Sequence, residues 1–182
     1  MHVPMGRLAR VFLSLPLLLA ACAGCAGCAS SHALDHGVYR TSTFAFRVGD
    51  VPGEWTPLEV SHATLAWRDD PREGSALLNV RCSDRDEATP LRALGEHLVL
   101  GTTERDWTDV QTVPFDGREA IHGRVKAKLD GVPMGYDLFV LRKDGCIYDF
   151  VYVAPPARVA EGVPGFEHFV QGFHTVRFGG DS

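Results

Sequence analysis

Thiol and imidazole groups are the side chains of this 182-residue chain best suited to chemistry, and three of its five cysteines lie close together. Cys22, Cys25 and Cys28 recur at every third position, a spacing also found in metal and cluster sites. Such ligands need a folded outer shell that orients them, and here only Ala, Gly and Ser surround them. We therefore interpret this segment as a tether, in which Cys25 and Cys28 are paired, free or acylated.

The segment before Cys22 predicts how the chain is processed. Residues 11–21 form an apolar run behind Arg7 and Arg10 and end in small residues. The run is about half of the roughly 20 residues that a membrane-spanning helix needs, and its basic start and small end are typical of a removed leader. We expect residues 1–21 to be a signal peptide.

Cys22 is the expected lipidation site. It follows Leu-Ala-Ala, which matches the lipobox of bacterial lipoprotein signal peptides, whereas the position three before Cys25 and before Cys28 is another cysteine. A plain secretory signal cut near this point is the alternative. Lipid on Cys22 would hold the chain to a membrane through a flexible tether over residues 22–36. Ala23, in a sorting position where Asp favours the inner membrane, favours the periplasm-facing side of the outer membrane, with the inner membrane as the alternative.

Cys82 and Cys146 are the other two thiols, and both fall in predicted strands or at their ends. The leader places them in an oxidising compartment, where free thiols are uncommon. A disulfide between them would join positions 64 residues apart and stabilise the fold by about 4 kcal/mol in the chain-entropy model. Two buried unpaired thiols are the alternative. A nucleophilic thiol is disfavoured, because nothing in the sequence supplies an activating neighbour.

Two groups of ionisable residues suit metal or acid-base chemistry. Glu96 and His97 lie on a predicted helix, with Glu104 and Asp106 beyond its end, and the acidic run at 84–87 offers oxygen ligands to a hard cation. No two histidines of the domain stand four apart on one helix, so a zinc site has no local nucleus. A solvated helix face and a solvated loop are the favoured interpretations. We predict no metal, cofactor or catalytic residue.

The net charge argues against nucleic acid as a partner. Without the leader, 16 basic side chains remain against 23 acidic ones. Phosphate binding needs clustered Lys and Arg. Arg124, Lys126 and Lys128 instead alternate with apolar residues, which indicates one solvated or cross-paired face of a strand.

Three Asp-Gly pairs predict the elements that position these residues. They begin at Asp116, Asp130 and Asp144, each 14 residues from the next, and lie between apolar runs. Asp-Gly in that setting is typical of a tight hairpin, because Gly accepts positive φ. The pattern predicts an antiparallel meander of four long strands, with bulges or bends at Gly123 and Gly135.

Two helices and three further strands complete the prediction. Thr89 as N-cap and Pro90 at the first helical position indicate one helix, and a second is expected to begin at Pro164. The fold class is α+β, an antiparallel β-sheet with a long meander sandwiched by helices. We expect one domain over residues 37–178 and a disordered tail over 179–182. Apolar alternation places the three upstream strands at 43–48, 63–67 and 76–82.

Two surfaces suit a protein partner. Trp55, Trp67 and Trp107 lie near predicted strand ends or loops, where a large flat side chain is able to anchor a partner. Ordinary core packing is the alternative for each of them. The proline-rich segment 154–165 is expected to form a rigid exposed connection, which is either a contact surface or a cover over a sheet edge.

Several stretches resemble the PsbP-like family of bacterial lipoproteins: "FAFRVGDVPGEW", "HLVLGTTER", "AKLDGVPMGYDLFVLRKDGCIYDFVYVAPPAR" and "FEHFVQGFHTV". The resemblance covers residues 39–178 and implies an α/β/α sandwich. The family also contains a photosystem extrinsic subunit and a Ran-binding nuclear-import factor, and its members are mostly adaptors or accessory subunits. No catalytic residue set and no manganese or calcium ligand carries over to this chain.

The sequence thus predicts a lipid-anchored, non-enzymatic binding or scaffolding module with an envelope protein as its partner. One alternative is an accessory lipoprotein of an envelope transport system that binds lipid or another apolar ligand, which needs a cavity. A metal-dependent hydrolase is the other, and it requires Glu96, His97 and the acidic run at 84–87 to converge.

Overall fold

The computed structural model describes residues 34–83 and 88–176. The signal peptide, Cys22 and its neighbouring thiols, the acidic run at 84–87 and the predicted tail lie outside the described residues. Their assignments therefore stay predictions.

A seven-stranded antiparallel sheet forms the centre of the domain. Its strands are β3 (Trp55–Pro57), β4 (Leu65–Asp69), β5 (Gly74–Cys82), β6 (Thr103–Phe115), β7 (Arg118–Leu129), β8 (Val132–Lys143) and β9 (Cys146–Ala154). They lie in the order β3-β4-β5-β9-β8-β7-β6, so β6 to β9 form the predicted meander, next to the upstream hairpin of β4 and β5 and the short edge strand β3.

The three Asp-Gly pairs make the three turns of the meander, as predicted. Asp116, Asp130 and Asp144 have φ of 46°, 50° and 52°, and the glycine after each is also left-handed. Two successive positive φ values match the right-handed twist of the strands that the turn joins. The meander is therefore set by local turn chemistry.

The predicted bulges are wrong. Gly123 and Gly135 lie within uninterrupted register between β7 and β8. The irregularities lie in β6, between Thr103 and Asp106 and between Trp107 and Asp109. A Cβ on Gly123 would lie 2.8 Å from Cζ3 of Trp107, so this glycine makes room for an indole.

One helix covers each face of the sheet. Helix α1 (Leu91–His97) packs on β7 and β8, and α2 (Val159–Gln171) packs on β9, β8 and β5. The side chains of each strand alternate between the faces, which gives an α1-side core around Leu138 and a larger aromatic α2-side core around Phe150. The α/β/α sandwich is confirmed.

Both helix starts differ from the prediction. Pro90, not Thr89, is the N-cap of α1. Helix α2 begins five residues before Pro164, so the segment 154–165, which was expected to be a rigid exposed connection, is mainly helix. Contacts near its start explain the difference: Val159 packs on Gly135, and Gly162 packs on the Tyr152 ring. Burial of these contacts offsets the loss of the backbone hydrogen bond that a proline cannot donate inside a helix.

A small second sheet closes the aromatic core. It contains β1 (Val38–Arg40), β2 (Ala45–Arg47) and β10 (His174–Thr175) in the order β1-β2-β10. The strand predicted at 43–48 contains β2, whereas β1, β3 and β10, of two or three residues each, were not predicted.

A disulfide bond joins Cys82 to Cys146 in the structure. The two residues are direct cross-strand partners at the ends of β5 and β9, and their Cα atoms are 4.0 Å apart. The bond therefore links the upstream hairpin to the meander.

Candidate functional site

A network of charged side chains lies between the sheet and α2. Asp137 on β8 is fully buried, and each of its carboxylate oxygens has a partner on β7. Oδ1 lies 2.9 Å from Nε2 of His122, and Oδ2 accepts a hydrogen bond of 2.8 Å from Nε of Arg124. The cost of burying this carboxylate is offset by these two bonds.

Arg124 extends the network to the helix. Nη2 of Arg124 donates to Oε1 of Glu167 on α2 at 3.0 Å, and Nη1 of Arg124 lies 4.0 Å from Oδ2 of Asp109 on β6. The hydrogen bond to Asp137 raises the pKa of the guanidinium above its ordinary value, so Arg124 stays charged. One cation therefore ties α2 to two strands of the sheet.

Three potential metal ligands converge here. The side chains of His122, Asp137 and Glu167 bring ligand atoms within 4.8 Å of one another, a nitrogen and oxygen set that divalent transition metals accept. The guanidinium of Arg124 already bonds both carboxylates and supplies their counter-charge. A metal ion would have to displace it, so the cluster in this form is a salt-bridge network.

His122 is held as a structural side chain. Its ring stacks on Phe139 with centroids 4.0 Å apart and planes 6° apart, and its other contact is the bond to Asp137. The stacking and the bond to Asp137 together fix the orientation of the imidazole.

A groove adjoins the network on the α2 side of the sheet, with a volume of about 350 Å³. Helix α2 supplies an apolar wall, and the sheet supplies a floor with two cations at its border. We call it the α2 groove. Its lining residues are Val159, Ala160, Val163 and Pro164 from the helix, and Thr108, Arg124, Val125, Lys126, Gly135, Tyr136 and Asp137 from the strands.

Gly135 sets the depth of the groove at one end. A Cβ at this position would lie 2.7 Å from Cγ1 of Val159, a distance that side-chain carbons do not adopt. Only a glycine lets the first turn of α2 approach the strand this closely.

Lys126 is the exposed cation at the border. On the same face of β7, Arg124 is bonded to Asp137 and Glu167, and the Nζ of Lys128 lies 2.7 Å from Glu104. Within residues 34–83 and 88–176, Lys126 has no acidic group within 4.0 Å, although Asp106 is its cross-strand neighbour.

The predicted tryptophan contacts need correction. Trp55 and Trp67 are 6% and 5% exposed, and their rings pack against Phe169 in the α2-side core. The prediction that these two residues contact a partner is wrong, because strand pairing turns both rings inward. Trp107 is half-buried over Gly123, and its role in binding stays a prediction.

Glu96 and Glu104, two candidates for metal or acid-base chemistry, form separate ion pairs, and the acidic run at 84–87 lies outside the described residues. Glu96 pairs with Arg92 on the exposed face of α1, and Glu104 pairs with Lys128 at the far end of β7. In the described part of the chain, neither belongs to a group of three metal-ligating side chains.

The sequence carries a local signal for part of the polar network. Asp137 stands in the otherwise apolar run Tyr-Asp-Leu-Phe-Val-Leu. A single charged side chain in a strand that is apolar on both faces requires buried partners. His122 and Arg124 lie on the strand that the Asp-Gly turn pairs with it. Glu167 is distant in sequence and had no such signal.

The seven-stranded sheet with one helix on each face has known counterparts. No family model matches the sequence, and no curated protein sequence is detectably similar to it. The solution structure of cyanobacterial PsbP (CyanoP) from Synechocystis superposes with a TM-score of 0.57 at 13% identity, covering 76% of this chain and 91% of that one. The domain has a PsbP-like fold.

Two further structures share this PsbP-like fold. LpqN of Mycobacterium tuberculosis, described as involved in cell envelope biogenesis, has a TM-score of 0.52 at 17% identity and covers 72% of this chain and 84% of its own. A Bacteroides thetaiotaomicron protein has a TM-score of 0.54 at 9% identity and covers 80% of this chain and 50% of its own. In the described part of the PsbP-like domain, no helix has the length and apolar character to cross a membrane.

Proposed function

We propose that this chain is a non-enzymatic binding module of the bacterial envelope, held to the periplasm-facing side of the outer membrane by lipid on Cys22. The α2 groove is its binding site. The observation that carries the proposal is an apolar-walled groove of about 350 Å³ beside a charged network whose groups satisfy one another.

The groove suits binding better than catalysis. Its volume lies within the range of about 300–1,000 Å³ that is usual for small-ligand sites, and mostly apolar walls with few polar groups are typical of them. A catalytic site needs groups poised to change charge or to attack. Here Asp137 and Arg124 are bonded to each other, and His122 is stacked on Phe139.

The envelope location rests on the lipobox before Cys22 and is supported by the fold shared with LpqN. These two observations are independent, because one concerns the leader and the other the folded domain. In this setting the groove would take a small apolar or amphiphilic ligand, as in an accessory lipoprotein of an envelope transport system.

A second candidate function is a scaffold for an envelope protein. Leu129 and Val132, cross-strand partners beside the β7–β8 turn, are 43% and 58% exposed. Together they extend the α1-side apolar surface to the tip of the hairpin. Exposed apolar side chains grouped in this way are a feature of protein contact sites.

Capture from native membranes tests both candidates. The wild-type chain is compared with Ala160→Trp, which fills the groove from an exposed helix position, and with Val132→Glu at the hairpin tip. We expect a small amphiphilic molecule by mass spectrometry with the wild type and with V132E but not with A160W. A protein partner lost only in V132E would favour the scaffold, and no difference among the three chains would contradict both proposals.

A further inference from the structure

The unpaired cation at the border of the α2 groove indicates what kind of ligand the groove takes. We propose that it binds a single-chain fatty acid, with the apolar tail against α2 and the carboxylate on Lys126. The inference rests on the proposed function and names the chemical class of its ligand.

Three cations lie on one face of β7. Arg124 is hydrogen-bonded to Asp137 and Glu167, and Lys128 is hydrogen-bonded to Glu104. Lys126 lies between them, is exposed and has no ion-pair partner in the described segments. A carboxylate that reaches the groove border therefore meets one available ammonium group.

The acidic groups around the groove do not cancel this preference. Asp137 and Glu167 share the guanidinium of Arg124, and Asp109 accepts both hydrogen bonds that the Gln111 amide donates at 3.0 Å. Asp106 faces Lys126 across the strand pair without closing an ion pair. Of the residues that line the groove, Asp137 carries the carboxylate, and it is already bonded to His122 and Arg124, so within the groove a cationic head group would meet Lys126 without a free carboxylate.

The walls set the length of the tail. Val159, Val163 and Pro164 present an apolar helix face, and Gly135 leaves a floor without a side chain. A volume of about 350 Å³ equals roughly a dozen water molecules at about 30 Å³ each, which matches a ligand of about a dozen non-hydrogen atoms. Decanoate has that size.

Calorimetric titration with decanoate and with decanol separates the head group from the tail. The full chain carries Cys22→Ser, so that no acyl chain of its own competes. We expect decanoate to bind the parent about tenfold more tightly than decanol, because a charge-assisted hydrogen bond forms only with the acid. Lys126→Gln removes that difference, whereas Lys128→Gln, the matched control on the same strand face, retains it.

The outcomes distinguish this inference from the function on which it rests. Equal affinity for decanoate and decanol, or a tenfold preference that survives in K126Q, overturns the fatty-acid assignment while leaving a binding groove. Loss of both ligands in A160W locates them in the groove. Failure of both to bind the parent also overturns the assignment, and the groove is then judged by the capture from native membranes alone.

Discussion

Nε of Arg124 lies 2.8 Å from Oδ2 of Asp137. The carboxylate is fully buried, whereas the guanidinium is half exposed and also reaches helix α2. Removing the cation leaves Asp137 with the imidazole of His122 as its partner. We predict that Arg124→Met lowers the free energy of unfolding in urea by about 3 kcal/mol. Arg92→Met breaks an exposed ion pair instead and is expected to cost less than about 0.5 kcal/mol. Equal effects would contradict the role given to the buried network.

The same guanidinium is expected to exclude metal ions. Arg124→Ala uncovers the donor set of His122, Asp137 and Glu167. We predict that Zn²⁺ at micromolar concentration binds this variant in calorimetric titration and leaves the wild type unchanged. Arg124→Ala with Asp137→Asn is the control, since it lacks a ligand. Tight binding by the wild type would show that the metal displaces Arg124, and the network would then be a metal site.

Gly162 determines how closely α2 approaches the sheet. A Cβ at this position would collide with the ring and hydroxyl of Tyr152. This hydroxyl donates a hydrogen bond of 2.8 Å to the buried Asp69. Gly162→Ala is therefore predicted to destabilise the fold by at least about 2 kcal/mol, despite the gain of about 1 kcal/mol in helix propensity. Gly101→Ala, where no atom lies within 4 Å of the new carbon, is the control. A neutral or stabilising G162A in chemical unfolding would contradict the packing.

The Cys82–Cys146 bond is expected to matter for stability. It closes a separation of 64 residues, so its loss costs about 4 kcal/mol in the chain-entropy model. We predict that the double substitution Cys82→Ala and Cys146→Ala lowers the urea midpoint as much as reduction of the wild type does. Mass spectrometry of the unreduced chain after thiol alkylation shows whether the bond forms. Alkylation of both cysteines would count against it.

All four tyrosines are predicted to titrate above their ordinary range. Burial raises the pKa of Tyr39 and Tyr136, and burial with nearby carboxylates raises the pKa of Tyr148 to about 12 and that of Tyr152 further. The neutral phenols are favoured in the folded state, so their contribution to stability is fully present below pH 10 and is lost as the pH rises through the raised pKa values. The phenolate absorbance at 295 nm should therefore appear at a higher pH in the folded chain than in the urea-unfolded chain. A transition at the same pH in both states would contradict the burial of these side chains.

Local chemistry determined how much of this fold was predictable. The turns at Asp116, Asp130 and Asp144 depend on two adjacent residues each, so the meander followed from the sequence. The start of α2 did not, because Val159 and Gly162 are helical through contacts with Gly135 and Tyr152 on other strands. Such contacts leave no local pattern.

The candidate site was less predictable than the fold for the same reason. Asp137 in an apolar strand is a local signal of a buried charge, but the bond from its partner Arg124 to Glu167 joins positions 43 residues apart. The buried state of Trp55 and Trp67 depends on which strands pair. The apolar half of the groove exists only once α2 has packed on the sheet.

Site-specific photo-crosslinking in living cells tests directly whether the α2 groove holds a ligand. A photoreactive phenylalanine analogue is placed at Thr108, an exposed residue on the sheet side of the groove, or at Arg92 on the exposed face of α1, the opposite side of the sheet. We expect irradiation to attach a small amphiphilic molecule at position 108 and none at position 92, as read by the intact mass of the purified chain. No small-molecule adduct at 108, or equal adducts at both positions, would contradict the groove as the binding site.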